Sequence, residues 1–173
     1  EGMARYYLPE GIWVNYLTGE IAGGGAWRQE HHDYLSIPLW ARADSVVAVG
    51  ISAGLEMGAE ESGDSAGYAE SGGKASAGAA DYDFRGNLEL KVFFLLEKAE
   101  TKVYQADREI VRAVFEKSGT EIKGQVSGGA GCRVRLVGWR LSDIEGASME
   151  IQGPDTVIAL DGDEVSFFGK ICS

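Results

Sequence analysis

The stretch that decides the fold runs from residue 88 to residue 96 and reads Leu-Glu-Leu-Lys-Val-Phe-Phe-Leu-Leu. Every second position in it is a large apolar residue: Leu88, Leu90, Val92, Phe94 and Leu96. Because side chains alternate between the two faces of a strand, this period of two predicts a strand with one buried face. The run is far shorter than the roughly 20 apolar residues that a membrane-spanning helix needs.

Segments of the same character follow on the C-terminal side, with turn signals between them. We expect Ile122, Val126, Val134 and Leu136 to point inward, and the two arginines beside Val134 to point outward. The predicted strands are 101–106, 110–115, 120–126, 133–137, 147–151, 157–160 and 165–168, with an Asp161-Gly162 hairpin signal between the last two. Short strands at this spacing indicate an antiparallel β-sandwich.

The N-terminal side also predicts short strands, whereas the segment that follows it has a different composition. The strands are expected at 5–8, 12–17, 33–42 and 45–49. From residue 51 to about residue 80, Gly, Ala and Ser dominate, and such a segment buries too little apolar surface to offset its chain entropy. We therefore predict an all-β chain: two small antiparallel β-sandwich domains, residues 1–50 and 82–173, joined by a flexible Gly/Ala/Ser-rich insert over 51–81.

The charge of the chain excludes some partners. Its 27 acidic and 16 basic residues give a net charge of -11 and a pI near 4.6. A surface of this sign repels phosphate backbones and anionic lipids, so we expect neither nucleic acid nor membrane as a partner. Two cysteines, Cys132 and Cys172, do not make a disulfide framework. We expect both to be reduced thiols, one or both of them buried, and the protein to be cytoplasmic.

Three stretches near the N-terminus resemble a known family. Residues 7–13 read Tyr-Leu-Pro-Glu-Gly-Ile-Trp, and 15–20 read Asn-Tyr-Leu-Thr-Gly-Glu. Together they resemble the C-terminal β-domain of glycoside hydrolase family 31. Residues 27–39, Trp-Arg-Gln-Glu-His-His-Asp-Tyr-Leu-Ser-Ile-Pro-Leu, are similar to the version in α-xylosidase members of that family. The resemblance is dense over residues 6–50; over 82–173 only Val103 to Asp107 is similar.

The resemblance implies an accessory role. The active site of that family lies on a (β/α)8 barrel upstream, where two aspartates carry out retaining hydrolysis, and neither aspartate motif occurs in this chain. The resemblance therefore implies a non-catalytic accessory fragment whose partner is that barrel and whose parent releases terminal α-linked xylose without a metal or organic cofactor. No catalytic, cofactor-binding or metal-binding residue is assigned.

The resemblance also implies that the N-terminal domain is incomplete. In the family, strands that pair with the segment corresponding to 6–8 precede it, and the chain here begins only five residues before Tyr6. We therefore expect an exposed strand edge and a bare apolar face in the N-terminal part.

Two acidic or histidine-containing motifs suggest metal sites but have simpler explanations. His31 and His32 are adjacent, and adjacent residues on a strand point to opposite faces, so a polar loop is favoured over a shared ion. Asp161, Asp163 and Glu164 lack the pattern of a calcium loop, so a hairpin turn is favoured.

The aromatic residues offer the main alternative function. Trp13, Trp27, Trp40 and Trp139, with Tyr16 and Tyr34, are candidates for a flat platform on which sugar rings stack. Core packing is favoured for Trp13 and Trp40, whereas Trp27 and Trp139 remain candidates for carbohydrate or interdomain contact. The alternative is thus a stand-alone carbohydrate-binding β-sandwich module. Three exposed tryptophan rings in one plane would favour this alternative.

Overall fold

A computed structural model describes residues 2–34, 36–51 and 88–172 of the chain. Every regular element in this part is a β-strand, so it contains no helix and hence none long and apolar enough to cross a membrane. The strands are β1 (Gly2–Leu8), β2 (Ile12–Asn15), β3 (Ile21–Gly23), β4 (Ala26–His32), β5 (Trp40–Arg42), β6 (Ser45–Gly50), β7 (Leu88–Phe93), β8 (Lys98–Gln105), β9 (Arg108–Ser118), β10 (Glu121–Ser127), β11 (Arg133–Val137), β12 (Leu141–Glu145), β13 (Ser148–Gln152), β14 (Asp155–Ala159) and β15 (Glu164–Ile171). The predicted all-β class is confirmed.

Two five-stranded sheets form a sandwich around the main core. The β9 sheet has the order β12-β15-β10-β9-β8, and the β7 sheet has the order β13-β14-β11-β7-β6. Pairing in both is antiparallel except between β7 and β11, which run parallel. Apolar side chains from the inner faces, among them Leu90, Phe115, Ile122 and Leu136, are fully buried between the sheets. This core is the one that the period of two predicted.

The N-terminal residues form two smaller sheets beside the sandwich. In the ribbon, β1 pairs with β4 along seven residues; in the three-stranded sheet, the order is β3-β2-β5. Val14 of the three-stranded sheet is buried against Phe93 and Val137, which belong to the outer face of the β7 sheet. A small second core therefore joins the three-stranded sheet to the sandwich.

The burial pattern of the predicted strands is confirmed at most positions. Ile122, Val126, Val134 and Leu136 are all buried, as expected. The alternation that starts at Leu88 does not continue beyond Val92, so the predicted inward position of Leu96 is wrong.

The alternation ends because the chain turns after β7. Phe94 adopts a φ of 39°, Leu95 takes the buried position, and the Asp44 carboxylate accepts hydrogen bonds from the amides of Leu96 (2.6 Å) and Glu97 (3.1 Å). The contact that fixes this turn comes from about fifty residues earlier in the chain.

Two further predictions of local structure are wrong. The strand expected over 33–42 is present only as β5, since Ser36 Oγ instead accepts the Asp33 amide at 3.0 Å and Pro38 has no amide to donate. Asp161-Gly162 does not close a hairpin, because β14 belongs to the β7 sheet and β15 to the β9 sheet. The amides of Gly128 and Gly129 donate to the carbonyl of Asp163. These hydrogen bonds hold the connection through which the chain passes from the β7 sheet to the β9 sheet.

Two further expectations from the sequence concern the domain limits and the state of the cysteines. The division of the chain into domains at residues 50 and 81 stays a prediction. Strand β6, before the predicted insert, is hydrogen-bonded to β7, after it. Most of the predicted insert, from residue 52 onward, lies outside the described residues. Cys132 is buried and Cys172 is exposed, and both are free thiols.

Candidate functional site

The ribbon has one open and one covered face, because its residues alternate strictly. Its register places Met3 opposite His31, Arg5 opposite Gln29, and Tyr7 opposite Trp27. All six of these side chains are exposed, whereas the residues between them are partly buried. We call this surface the open face of the ribbon; its members are Met3, Arg5, Tyr7, Trp27, Gln29 and His31.

Aromatic and cationic groups contact one another on the open face. The rings of Tyr7 and Trp27 are tilted by 57°, and their centroids lie 5.6 Å apart. The guanidinium of Arg5 lies over the Trp27 ring, 4.9 Å from its centroid. Trp27 is 63% exposed and Tyr7 is 47% exposed, although both are large and largely apolar. Such groups, exposed side by side on a regular strand pair, are typical of a surface that binds something.

The other face of the ribbon is covered by β5. Trp40 donates its indole N–H to the Tyr6 hydroxyl at 2.8 Å, and the Arg28 guanidinium lies 4.8 Å from the centroid of the Trp40 ring. Arg28 also pairs with Glu30, 3.6 Å away. Burial raises the pKa of the Tyr6 hydroxyl, and its hydrogen bond to Glu30 raises it further. These contacts hold the ribbon in a fixed orientation, so that the open face points away from β5.

The structure does not bring Trp27 and Trp139 together. Trp139 follows β11 and packs on the sandwich core, where its indole N–H donates to the carbonyl of Leu95 at 3.0 Å. Its ring stacks on Phe94 with centroids 5.0 Å apart and planes 11° apart, and the Lys117 ammonium lies 4.9 Å from its centroid. Trp139 is therefore held by neighbours within the fold, whereas Trp27 projects from it.

The four tryptophans do not form a flat platform. All four lie in the part of the chain that the structure describes, and only Trp27 is among the exposed large side chains. Trp13 donates its indole N–H to the Pro9 carbonyl at 2.8 Å, and Trp40 and Trp139 also donate within the fold. The rings of Trp27, Trp40 and Trp139 each have a cation over them. A sugar ring would have to displace Arg5 before it could stack on that face of Trp27.

Exposed apolar side chains are concentrated in the N-terminal part. Among the described residues, eight of the ten exposed large hydrophobic side chains lie between Met3 and Leu39. Besides Met3, Tyr7 and Trp27 of the ribbon, they are Leu17, Ile21, Tyr34, Ile37 and Leu39. The sandwich contributes only Val47 and Tyr104. The N-terminal part thus resembles a surface that is normally covered, whereas the sandwich surface resembles that of a solvated domain.

The histidines predicted to lie in a polar loop are in β4. Their side chains point to opposite faces, with His31 exposed and His32 half-buried between Glu30 (3.5 Å) and Ser36 (3.3 Å). In the ranges 2–34, 36–51 and 88–172, no three His, Cys, Asp or Glu side chains are grouped in a way that would hold a metal ion. Sequence reasoning singled out Trp27 but missed Arg5 and Tyr7, because residues 3–7 read Met-Ala-Arg-Tyr-Tyr and show no alternation of apolar and polar types.

The N-terminal part of the chain is similar to a known protein family. Residues 1–47 match the family model of the glycosyl hydrolase family 31 C-terminal domain. The match ends within β6, so it covers the ribbon and the three-stranded sheet and leaves the rest of the sandwich unmatched.

The fold of the whole chain is shared with parts of larger enzymes. It is similar to the cycloalternan-forming enzyme from Listeria monocytogenes, with a TM-score of 0.69 and 13% identity over 98% of this chain and 17% of that chain. A GH31 dextranase from Flavobacterium johnsoniae gives a TM-score of 0.67 and 11% identity over 97% of this chain and 24% of that chain. An ER glucosidase II complex gives a TM-score of 0.54 and 13% identity, over 99% and 21%. This chain therefore spans about a fifth of the length of these structures.

Proposed function

We propose that this chain is a non-catalytic accessory part of a family 31 glycoside hydrolase. The observation that carries the proposal is the concentration of exposed apolar side chains between residues 3 and 39, within the segment that matches the family model. A surface of this kind is expected to pack against another protein unit. That unit is the catalytic barrel that the sequence resemblance implies, and the chain would support it and cover its apolar surface.

The chemistry would then be carried by the barrel alone. Retaining hydrolysis needs two carboxyl groups roughly 5 Å apart on either side of the glycosidic bond, one as nucleophile and one as acid and base. The residues that make up the open face of the ribbon include no carboxylate. We assign to the parent enzyme the release of terminal α-linked xylose, on the basis of the α-xylosidase-like stretch 27–39.

A second candidate function is a carbohydrate-binding module that acts alone. The exposed pair Tyr7 and Trp27 favours it, since aromatic faces bind the apolar side of sugar rings. The tilt of 57° between the rings and the guanidinium over Trp27 speak against a flat stacking platform. The accessory function is therefore preferred.

The test combines activity with association. The purified chain should release no aryl group from an aryl α-xyloside, and it should bind a family 31 barrel that is encoded in the same genome and expressed without its C-terminal domains. Binding should raise the thermal stability or activity of that barrel. Turnover that disappears on mutation of a carboxylate in this chain would overturn the proposal, as would the lack of any such barrel in the source genome. Calorimetry with xylo- and gluco-oligosaccharides tests the second candidate.

A further inference from the structure

We propose that the open face of the ribbon is the docking surface for the catalytic unit, and that the surface it meets there carries carboxylates around an apolar centre. This inference rests on the proposed function. It specifies which of two exposed apolar surfaces contacts the barrel. It also adds the chemistry of the partner surface.

The open face has the composition of an interface centre. Trp, Tyr and Arg are the residue types that most often dominate binding energy, and here they are neighbours in Trp27, Tyr7 and Arg5. Met3 and Gln29 extend the face along the ribbon, with Gln29 Nε2 2.8 Å from Met3 Sδ. Because these side chains stand on a paired strand ribbon whose other face is held by Trp40, little order has to be gained on binding.

The charge of the face identifies the chemistry of its partner. The chain as a whole has a net charge of -11, yet none of the six open-face residues is acidic and Arg5 is a permanent cation. The acidic residue of β4, Glu30, belongs to the covered face, where it pairs with Arg28. A second copy of the same face would bring Arg5 against Arg5, which disfavours a symmetric dimer. An acidic partner surface instead pairs with Arg5, and no carboxylate among the six open-face residues repels it.

The second exposed apolar surface lacks these features. It lies around the turn after β2 and the segment before β5, and we call it the tip patch; its members are Leu17, Ile21, Ile37 and Leu39. Leu17 belongs to a turn and Ile37 and Leu39 to an irregular segment, and none of the four is an arginine or an aromatic residue; the exposed Tyr34, in the same segment before β5, also lies outside any strand. The tip patch therefore serves as the comparison surface in the test.

The probe is the barrel of the proposed function, purified as a separate chain, and binding is measured by calorimetry at low and moderate salt. We expect Trp27→Ala and Arg5→Glu each to weaken binding at least tenfold, and Arg5→Glu to remove much of its salt dependence. Matched controls are Tyr104→Ala and Arg108→Glu, an exposed tyrosine and arginine at the β8–β9 hairpin, which should change binding less than twofold. Each variant is first checked for an unchanged melting temperature, since none of these side chains is buried.

The outcomes separate the two proposals. If the unaltered chain does not bind the barrel at all, the proposed function fails, and this inference fails with it. If the unaltered chain binds and the ribbon variants bind equally well, while Leu17→Ser with Leu39→Ser abolishes binding, the inference alone is overturned. A photo-crosslinking amino acid at position 7 should capture the barrel next to an Asp or Glu, and the same amino acid at position 104 should not.

Discussion

Arg135 donates from Nε to Oε1 of Glu89 at 3.0 Å across the parallel pair β7 and β11. The Glu89 side chain is only 5% exposed, although it lies on the outer face of the β7 sheet, opposite the core. Arg133 Nε approaches its other oxygen at 2.5 Å, and Lys91 lies 3.9 Å away. Burial by itself would raise the pKa of Glu89, but the hydrogen bond from Arg135 and the three positive charges outweigh it, so the pKa lies below the ordinary 4.5.

Glu89→Gln should destabilise the sandwich, because it removes the nearer of the two carboxylates that pair with the partly buried Arg135 and leaves only Asp155, 3.5 Å away. The expected loss in the free energy of unfolding is about 3 kcal/mol, as for removal of one partner from a buried ion pair. Urea denaturation at pH 7 measures it. The matched control is Glu100→Gln, where an exposed glutamate lies 4.0 Å from Lys98 and the loss should be close to zero. Equal effects of the two substitutions would contradict a special role of Glu89.

The same carboxylate predicts how stability depends on pH. A group whose pKa is lower in the folded state stabilises the fold above its unfolded pKa and loses that contribution as the pH falls through the folded pKa. Glu89 therefore contributes fully at neutral pH, and its contribution should fall away below about pH 4.5. In melting experiments between pH 7 and pH 3, Glu89→Gln should show a shallower decline than the unaltered chain. Parallel declines would show that other carboxylates dominate.

The sequence predicted what depends on local alternation and missed what depends on distant contacts. Ile122 and Leu136 could be placed in the core because the apolar period of two holds along their own strands. The turn at Phe94 could not be predicted, since the Asp44 carboxylate that holds it comes from far away in the chain. Asp161-Gly162 indicates a turn correctly, but nothing local specifies that the chain changes sheets there.

The candidate site shows the same limit. Trp27 was singled out by its residue type, but its partners depend on the register of the β1–β4 ribbon, which pairs Tyr7 with Trp27 across about twenty intervening residues. Residue type makes Trp139 an equal candidate, yet its position after β11 places it on Phe94 and the core. Residue type alone does not distinguish a projecting tryptophan from one that packs within the fold.

Asp44→Ala should weaken the junction between the N-terminal sheets and the sandwich. Asp44 has a φ of 61°, which alanine disfavours, and its carboxylate accepts from the amides of Leu96 and Glu97. The lost hydrogen bonds and the backbone strain together should cost about 2–3 kcal/mol of unfolding free energy. Asp44→Asn is the matched control, because asparagine tolerates this φ and keeps an oxygen acceptor. A loss equal to that of alanine would show that the charge, and not the geometry, is what matters.

The β8–β9 hairpin should become more stable with a better turn sequence. Its two loop residues, Ala106 and Asp107, have φ values of 47° and 63°, which is the backbone of a type I′ turn that prefers Asn-Gly. Ala106→Asn combined with Asp107→Gly should raise the unfolding free energy by about 1 kcal/mol, measured by thermal or urea denaturation. As a control in the opposite direction, Gly119→Ala at a φ of 58° should lower it by a similar amount. A loss of stability from the first change would contradict the turn assignment.

Hydrogen exchange should distinguish the ribbon and its neighbours from the sandwich. β10 is paired on both sides, by β9 and β15, whereas β1 is paired only by β4 within the described residues. Amides in 6–17 should therefore exchange much faster than those in 120–137, because β1 belongs to a two-stranded ribbon and β2, although paired by β3 and β5, belongs to a small three-stranded sheet, and small sheets open more readily than the centre of a sandwich. Mass spectrometry of peptides from the two regions makes the comparison within one sample. Equal and strong protection in both would contradict this ranking.

The register of β6 and β7 places Gly50 directly opposite Leu88. The chain thus leaves the β7 sheet and re-enters it at neighbouring points of one antiparallel pair, although residues 51–87 lie between them in the sequence. Sequence inserted between two such points does not have to span any distance, and loop-closure entropy grows only slowly with its length. This corner of the fold is therefore suited to accept a foreign domain, a reporter or a pair of new chain termini, and related chains are free to differ most in length here.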